Sequence, residues 1–267
     1  ITDQAMLQDL PVYLKAGVPS VVYVVTNTGY DNWANDGTDA SWQKFKQLEQ
    51  LKKQTLPTAF PLRSIDKVSI PMAGASEEVE VTTGITVTVP VTRMYAKLKV
   101  KVEMRKAEME LNNVNVRQIP NICRVETLAG DGKGEPMEPV PFPDETTFSS
   151  IAFAASDLEK NEDKEWAVFY VPENLQGETQ TQGGNKSDAA PSNALVVDIT
   201  TEIGGERYLY AAYPGGNSLN NFNIQRNQVY RITVTITGEK NQNNPSANCF
   251  VVKPDGFLSF EPYYRVE

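Results

Sequence analysis

Residues 95–104 read YAKLKVKVEM, and this stretch decides the fold class. Apolar and charged residues alternate along most of it: Leu98, Val100, Val102 and Met104 are separated by Lys97, Lys99, Lys101 and Glu103. Successive side chains of a β-strand point to opposite faces, so one face of this strand meets a core and the other meets water. Such a pattern is typical of an antiparallel sheet.

Similar patterns recur along the chain and predict a mainly β protein. Residues 85–91 and 230–236 alternate in the same way, while residues 21–25 and 166–171 are short runs that are apolar on both faces. Residues 195–200 and 207–213 are rich in β-branched and aromatic side chains, which favour strands.

One segment has a different period. Trp42, Phe45, Leu48 and Leu51 recur every third residue among polar ones, and Asp39 precedes them as a candidate N-cap. This spacing predicts one short amphipathic helix.

The length of 267 residues favours two domains. Residues 119–146 are rich in proline and glycine and predict a linker or an irregular edge. We therefore predict two antiparallel β-sandwich domains, over residues 1–118 and 119–267. The polar residues 176–192 predict a mobile surface loop of the second domain.

The charge and hydropathy of the chain argue against binding to nucleic acid or to a membrane. The net charge of −9 and the pI near 4.8 argue against binding to nucleic acid or to anionic lipid, which both attract cationic surfaces. No apolar run approaches the roughly 20 residues that span a bilayer.

The chain contains no histidine, which removes the common nucleophile triads and nearly all catalytic zinc sites. We therefore predict neither an enzyme nor a cofactor. One enzymatic alternative is a glycosidase that uses two paired carboxylates. It stays open because the spacing of residues in the sequence does not reveal the distance between two carboxylates. Glu173 is interpreted as a lone acid in a turn. The stretch GDGKG at 130–134 is interpreted as a turn rather than a phosphate loop. The acidic loop from Asp31 to Asp39 is interpreted as the entry to a helix rather than as a calcium site.

Two further sets of residues have open interpretations. Cys123 and Cys249 are either two ordinary thiols or one disulfide that ties the start of the second domain to its end. Tyr30, Trp33 and Tyr213 either pack at edges or form a platform on which a ligand stacks.

Six segments resemble, in order, the fimbrillins of Bacteroidia, which are the subunits of lipoprotein-derived pili. They are VVYVVTNTG at 21–29, SIPMAG at 69–74, VTRMYAKLKVKV at 91–102, VFYVPENLQG at 168–177, LVVDITT at 195–201 and NFNIQRNQVYRITVTITG at 221–238. The resemblance spans nearly the whole chain and implies that both sandwiches are transthyretin-like.

The resemblance also implies a mechanism of assembly. A fimbrillin precursor is a lipoprotein, and a protease removes its first strand, so Ile1 is the candidate processed N-terminus. The open groove then accepts an extended strand from a neighbouring subunit. The candidate donor strand lies in the tail and carries Phe257, Leu258, Phe260, Tyr263 and Tyr264. The alternative is that this tail is the last strand of its own second domain.

We therefore expect a structural subunit of a fimbrium at the cell surface or outer membrane, assembled by strand exchange and supporting adhesion. Its expected partners are other fimbrial subunits, together with host or bacterial surface ligands. A precursor lipid anchor would be its only contact with a membrane. The alternative is a fragment of a tip or minor-subunit adhesin that binds a glycan or a partner protein.

Overall fold

The computed structural model describes residues 16–27, 55–57, 62–63, 70–105, 107–125, 138–160, 164–179, 186–216, 220–236 and 249–252. Within these ranges the first strands are β1 Pro19–Ser20, β2 Tyr23–Thr26, β3 Thr55–Pro57, β4 Leu62–Arg63, β5 Met72–Ala75, β6 Val79–Glu80, β7 Thr92–Arg93 and β8 Tyr95–Met104. The later strands are β9 Glu110–Pro120, β10 Ile122–Arg124, β11 Phe148–Ala154, β12 Ala167–Pro172, β13 Val196–Ile203, β14 Glu206–Ala212, β15 Val229–Ile236 and β16 Cys249–Val252. A short helix, α1 Ala155–Leu158, and a 3₁₀ helix, Lys186–Ala189, complete the described elements.

Two sheets form the main body. The first has the strand order β16-β15-β8-β12-β4, in which β15 and β8 run parallel and every other pair runs antiparallel. The second has the order β11-β9-β13-β14 and is antiparallel throughout. Smaller sheets join β2-β5-β7, β1-β6 and β10-β3.

The main hydrophobic core lies between the two large sheets. Leu98 and Phe169 from the first sheet and Val197 and Phe153 from the second belong to one buried cluster. The rings of Phe153 and Phe169 meet edge-to-face with their centroids 5.8 Å apart. The two sheets are therefore the layers of a β-sandwich.

A second, smaller core lies beside the three-stranded sheet. Ala73, Met94, Tyr95, Cys123 and Val125 are its buried members. It includes Tyr95, the first residue of β8, so it lies next to the end of the main sandwich.

The mainly β fold that the sequence predicts is confirmed. The alternation at 98–104 corresponds to β8, whose apolar side chains enter the main core, and the alternation at 230–236 corresponds to β15. Strands also form at the predicted positions in β2, β12, β13 and β14.

The strand predicted at residues 85–91 is wrong, because that stretch pairs with no strand among the described residues. Its side chains still alternate in burial, with Val87, Val89 and Val91 half-buried and the residues between them exposed. Pro90 lacks an N–H group to donate to a ladder. The period-two pattern thus indicates an extended chain with two different faces, and a strand also needs a partner.

The predicted domain boundary between residues 118 and 119 falls inside β9. Strands β8 and β9 pair with β12, β13 and β15 from the later part of the chain, so the sheets show no division at that point. The predicted linker also contains Ile119, which is buried in the main core. The count of two domains and their transthyretin-like topology stay predictions.

The amphipathic helix predicted from Asp39, with Trp42, Phe45, Leu48 and Leu51, lies outside the described residues. Among the residues that the structure describes, no helix is long and apolar enough to cross a membrane.

Candidate functional site

A hydrogen-bonded polar feature is formed by two segments that run side by side. They are residues 173–178 after β12 and residues 221–226 before β15. Backbone hydrogen bonds join Asn174 and Ile224 in both directions, at 2.8 and 2.7 Å. A second bridge pairs Glu178 with Asn221. We call these two segments the polar clamp.

A buried ion pair closes one end of the clamp. The Arg226 guanidinium donates from Nη2 to Glu173 Oε2 at 2.9 Å, and both side chains are at least nine-tenths buried. The same Nη2 donates to the carbonyl oxygen of Arg124 at 2.9 Å, and Nη1 donates to that of Val125 at 3.4 Å. Arg226 therefore ties the clamp to the end of β10.

The middle of the clamp is a network of buried amides. Asn174 Nδ2 donates to the carbonyl oxygen of Asn193 at 2.8 Å, and Gln176 Nε2 donates to Asn174 Oδ1 at 2.8 Å. The N–H of Gly177 donates to Asn223 Oδ1 at 2.7 Å. A network whose members satisfy one another holds its backbone in a single arrangement.

A lysine, a carboxylate and an amide meet at the other end. Lys186 Nζ donates to the carbonyl oxygen of Asn221 at 2.7 Å and lies 4.8 Å from the centre of the Phe222 ring. Asn221 Nδ2 donates to Glu178 Oε1 at 3.1 Å. Burial lowers the pKa of Lys186 to about 7, so a large share of this amine is uncharged at neutral pH.

Sequence reasoning missed this site. Glu173 was interpreted as a lone acid, whereas it is the partner of Arg226. Residues 176–192 were predicted to form a mobile surface loop, whereas Gln176 and Gly177 are buried in the clamp. The available signal was the alternation of amides with apolar residues in ENLQG and NFNIQ, because a period of two indicates an extended segment.

The predicted site residues are not brought together by the described part of the structure. Ile1, Tyr30, Trp33 and the candidate donor residues Phe257, Leu258, Phe260, Tyr263 and Tyr264 lie outside the described residues. The calcium alternative at Asp31 to Asp39 lies outside them as well. These assignments stay predictions.

Tyr213 and Cys123 are described. Tyr213 is half-buried and meets the buried ring of Phe222 edge-to-face, at 6.2 Å between centroids, which is a packing contact. Cys123 is a buried, free thiol in the second core. The side chain of Cys249 is not among those described, so the disulfide between the two stays a prediction.

The described residues contain no group of three or more histidine, cysteine, aspartate or glutamate side chains that could hold a metal ion. The arrangement of the clamp is suited to fixing the two segments rigidly.

Residues 169–234, which include the whole clamp, match a protein family described as a domain of unknown function, DUF4906. No curated protein matches the sequence significantly.

Solved structures with a similar fold come from Bacteroidales. A proposed cell adhesion protein from Parabacteroides distasonis aligns with a TM-score of 0.50 and 12% identity, over 86% of this chain and 70% of that one. The tip fimbrial protein Mfa3 from Porphyromonas gingivalis, with C-terminal truncation, aligns with a TM-score of 0.48 and 17% identity, over 82% and 76%. A fimbrilin from the same organism aligns with a TM-score of 0.46 and 15% identity, over 86% and 77%.

The chain therefore has a fold similar to that of a proposed cell adhesion protein of Bacteroidales. This finding confirms, at the level of the fold, the resemblance to fimbrillins that the sequence motifs indicate.

Proposed function

We propose that the chain is a non-enzymatic structural subunit of a bacterial cell-surface fimbrium and that it assembles by strand exchange. The observation that carries the proposal is the fold, which is similar over 86% of the chain to that of a proposed cell adhesion protein. The six fimbrillin-like motifs, taken in order along the sequence, support the same function.

The extended stretch 85–91 is our candidate acceptor for a donated strand. It has no ladder partner among the described residues, and its alternate side chains Val87, Val89 and Val91 are half-buried. β-Augmentation uses an extended segment that has one apolar face and backbone groups available for pairing, and residues 85–91 have this form among the described residues.

The candidate donor is the tail. Strand β16 is the outer strand of the five-stranded sheet, and the aromatic-rich residues 257–264 follow it in the sequence. In this proposal, those residues of one subunit pair with residues 85–91 of the next.

The proposal is tested with a synthetic peptide of residues 254–267 added in excess to the purified full chain. A peptide that occupies an acceptor stabilises the folded state by about 2.7 kcal/mol at a concentration of 100 times its Kd. We expect a saturable rise in Tm and, by size-exclusion chromatography, a shift from oligomers to capped monomers. The control peptide carries Leu258→Ser, Phe260→Ser and Tyr264→Ser, which remove the apolar side chains of one face.

Variants of the chain locate the acceptor. Val87→Lys and Val89→Lys place a charge on the apolar face and should abolish the rise in Tm. Thr86→Lys, on the exposed face of the same stretch, should leave it intact. A chain that stays monomeric and shows equal Tm with both peptides would reject strand exchange through this tail and favour the tip-adhesin alternative.

A further inference from the structure

Lys186 and Asn221 lie at one end of the polar clamp, and the proposed strand exchange does not involve them. Lys186 begins the 3₁₀ helix and places its Nζ 2.7 Å from the carbonyl oxygen of Asn221. The ring of Phe222, which is fully buried, lies beside the amine. Burial also lowers the pKa of the amine to about 7, and an uncharged amine is a nucleophile.

The side-chain amide of Asn221 is fixed by three hydrogen bonds. Its Oδ1 accepts from the backbone N–H groups of Gly216 and Asn223, both at 2.9 Å. Its Nδ2 donates to Glu178 Oε1 at 3.1 Å. The two backbone donors polarise the amide carbonyl and would stabilise negative charge on Oδ1, as the donors of an oxyanion hole do.

The neighbouring loop is shaped to bring these donors close. Gly215 has φ +156°, and a Cβ atom at this position would lie 1.9 Å from the carbonyl oxygen of Asn221. Only glycine allows the loop to approach so closely, and the approach places the N–H of Gly216 on Oδ1.

We propose that Lys186 and Asn221 join in an intramolecular amide bond, with Glu178 as the proton-transfer group. In this reaction Nζ attacks Cγ of Asn221, and the developing charge on Oδ1 is held by the N–H groups of Gly216 and Asn223. Glu178 accepts a proton from the attacking nitrogen and passes it to Nδ2. The Cγ–Nδ2 bond then breaks and ammonia leaves.

The atoms balance without a further reactant. One C–N bond forms and one breaks, a proton moves from Nζ to Nδ2, and nothing is oxidised or reduced. The product covalently ties the 3₁₀ helix to the segment that enters β15. Because this bond lies within one chain, it does not depend on the proposed assembly.

The test is the intact mass of the purified, folded full chain, followed by tryptic digestion and tandem mass spectrometry. We expect the measured intact mass to be lower, by the mass of one ammonia, than the mass calculated from the sequence. We also expect one branched peptide that joins Lys186 to Asn221. Lys186→Arg should show the full mass of its sequence. Glu178→Gln should slow the linkage about 100-fold or more, because general acid–base catalysis contributes at least this factor.

Two results would overturn the proposal. The first is a folded chain with the full mass of its sequence, cleaved by trypsin after Lys186. The second is an ammonia deficit that persists in Lys186→Arg without a branched peptide, because the ammonia is then lost by another reaction, such as succinimide formation at an asparagine. A Glu178→Gln variant linked as fast as the natural chain would overturn the role of Glu178.

Discussion

Arg226 and Glu173 form an ion pair whose nitrogen and oxygen atoms lie 2.9 Å apart, with only 4% and 3% of their side chains exposed. The backbone N–H of Arg226 also donates to Glu173 Oε1 at 3.3 Å. The guanidinium also donates to the carbonyl oxygens of Arg124, the last residue of β10, and of Val125. This one side chain therefore connects three stretches of the chain. The pair therefore stabilises the arrangement of the clamp against the smaller core.

We predict that Glu173→Gln destabilises the protein strongly. The substitution leaves the Arg226 charge buried without its counter-charge, and breaking a buried pair in this way costs about 3 to 5 kcal/mol. The free energy of unfolding in urea measures the effect. The matched control is Glu159→Gln, which breaks the exposed pair between Glu159 and Lys164 and should leave the unfolding midpoint unchanged.

A double variant separates the charge from the packing. Glu173→Met with Arg226→Met removes both charges and keeps apolar bulk, so it should be more stable than Glu173→Gln alone. A double variant that is less stable than Glu173→Gln would show that the hydrogen bonds from Arg226 to the backbone contribute more than the ion pair.

A second prediction concerns the core between the sheets. Phe169→Ala removes a fully buried ring that packs on Phe153, and such truncations cost about 3 to 5 kcal/mol. Leu209→Ala is the control, because Leu209 is 51% exposed and its truncation should change stability by less than about 0.5 kcal/mol. Similar losses of stability for the two variants would contradict a hydrophobic core between the two sheets.

A third prediction concerns pH and the Glu178→Gln variant, isolated before the slowed linkage forms, so that Lys186 is still a free amine. Its folded-state pKa of about 7 lies below the ordinary value of 10.5, so between these values the unfolded state binds more protons than the folded state. Stability should therefore rise with pH from about 7 to 10. Adding Lys186→Gln to the same variant should remove this rise, and urea unfolding at several pH values measures it.

The sequence predicted the strands well where alternation coincides with a two-faced sheet. In β8, the apolar residues from Leu98 onward face the core, while Lys97 and Lys99 lie over the rings of Tyr170 and Trp166 on the outer face. The local pattern is sufficient to predict such a strand, because the alternation of apolar and polar residues directly records which face of the strand is buried.

The prediction failed where structure depends on distant residues. Residues 85–91 have the pattern of a strand, but pairing depends on a neighbour that local sequence does not specify. Glu173 and Arg226 are 53 positions apart, so neither residue alone indicates that they meet. The domain boundary between residues 118 and 119 is a different case. It rested on proline and glycine content and stays a prediction, and β9 continues through that point and pairs with β11 and β13.

The last prediction concerns Cys123. Its burial raises the pKa of the thiol to about 12, from an ordinary value of 9.0, so almost no thiolate is present at pH 8. The native protein should therefore resist alkylation by iodoacetamide, because the thiolate is the reactive form. Peptide mass spectrometry after treatment at pH 8 measures the labelled fraction, with the protein in denaturant as the control.

The same experiment tests the disulfide. Without reductant, a free Cys123 is labelled as soon as the protein is denatured, whereas a bridge to Cys249 keeps both residues unlabelled until reductant is added. The pH dependence gives an independent check. Between pH 9 and 12 the unfolded state loses the thiol proton more readily than the folded state, so stability should fall as pH rises through this window. Cys123→Ala should remove that part of the fall, and an unchanged pH profile would show that the thiol does not titrate on unfolding.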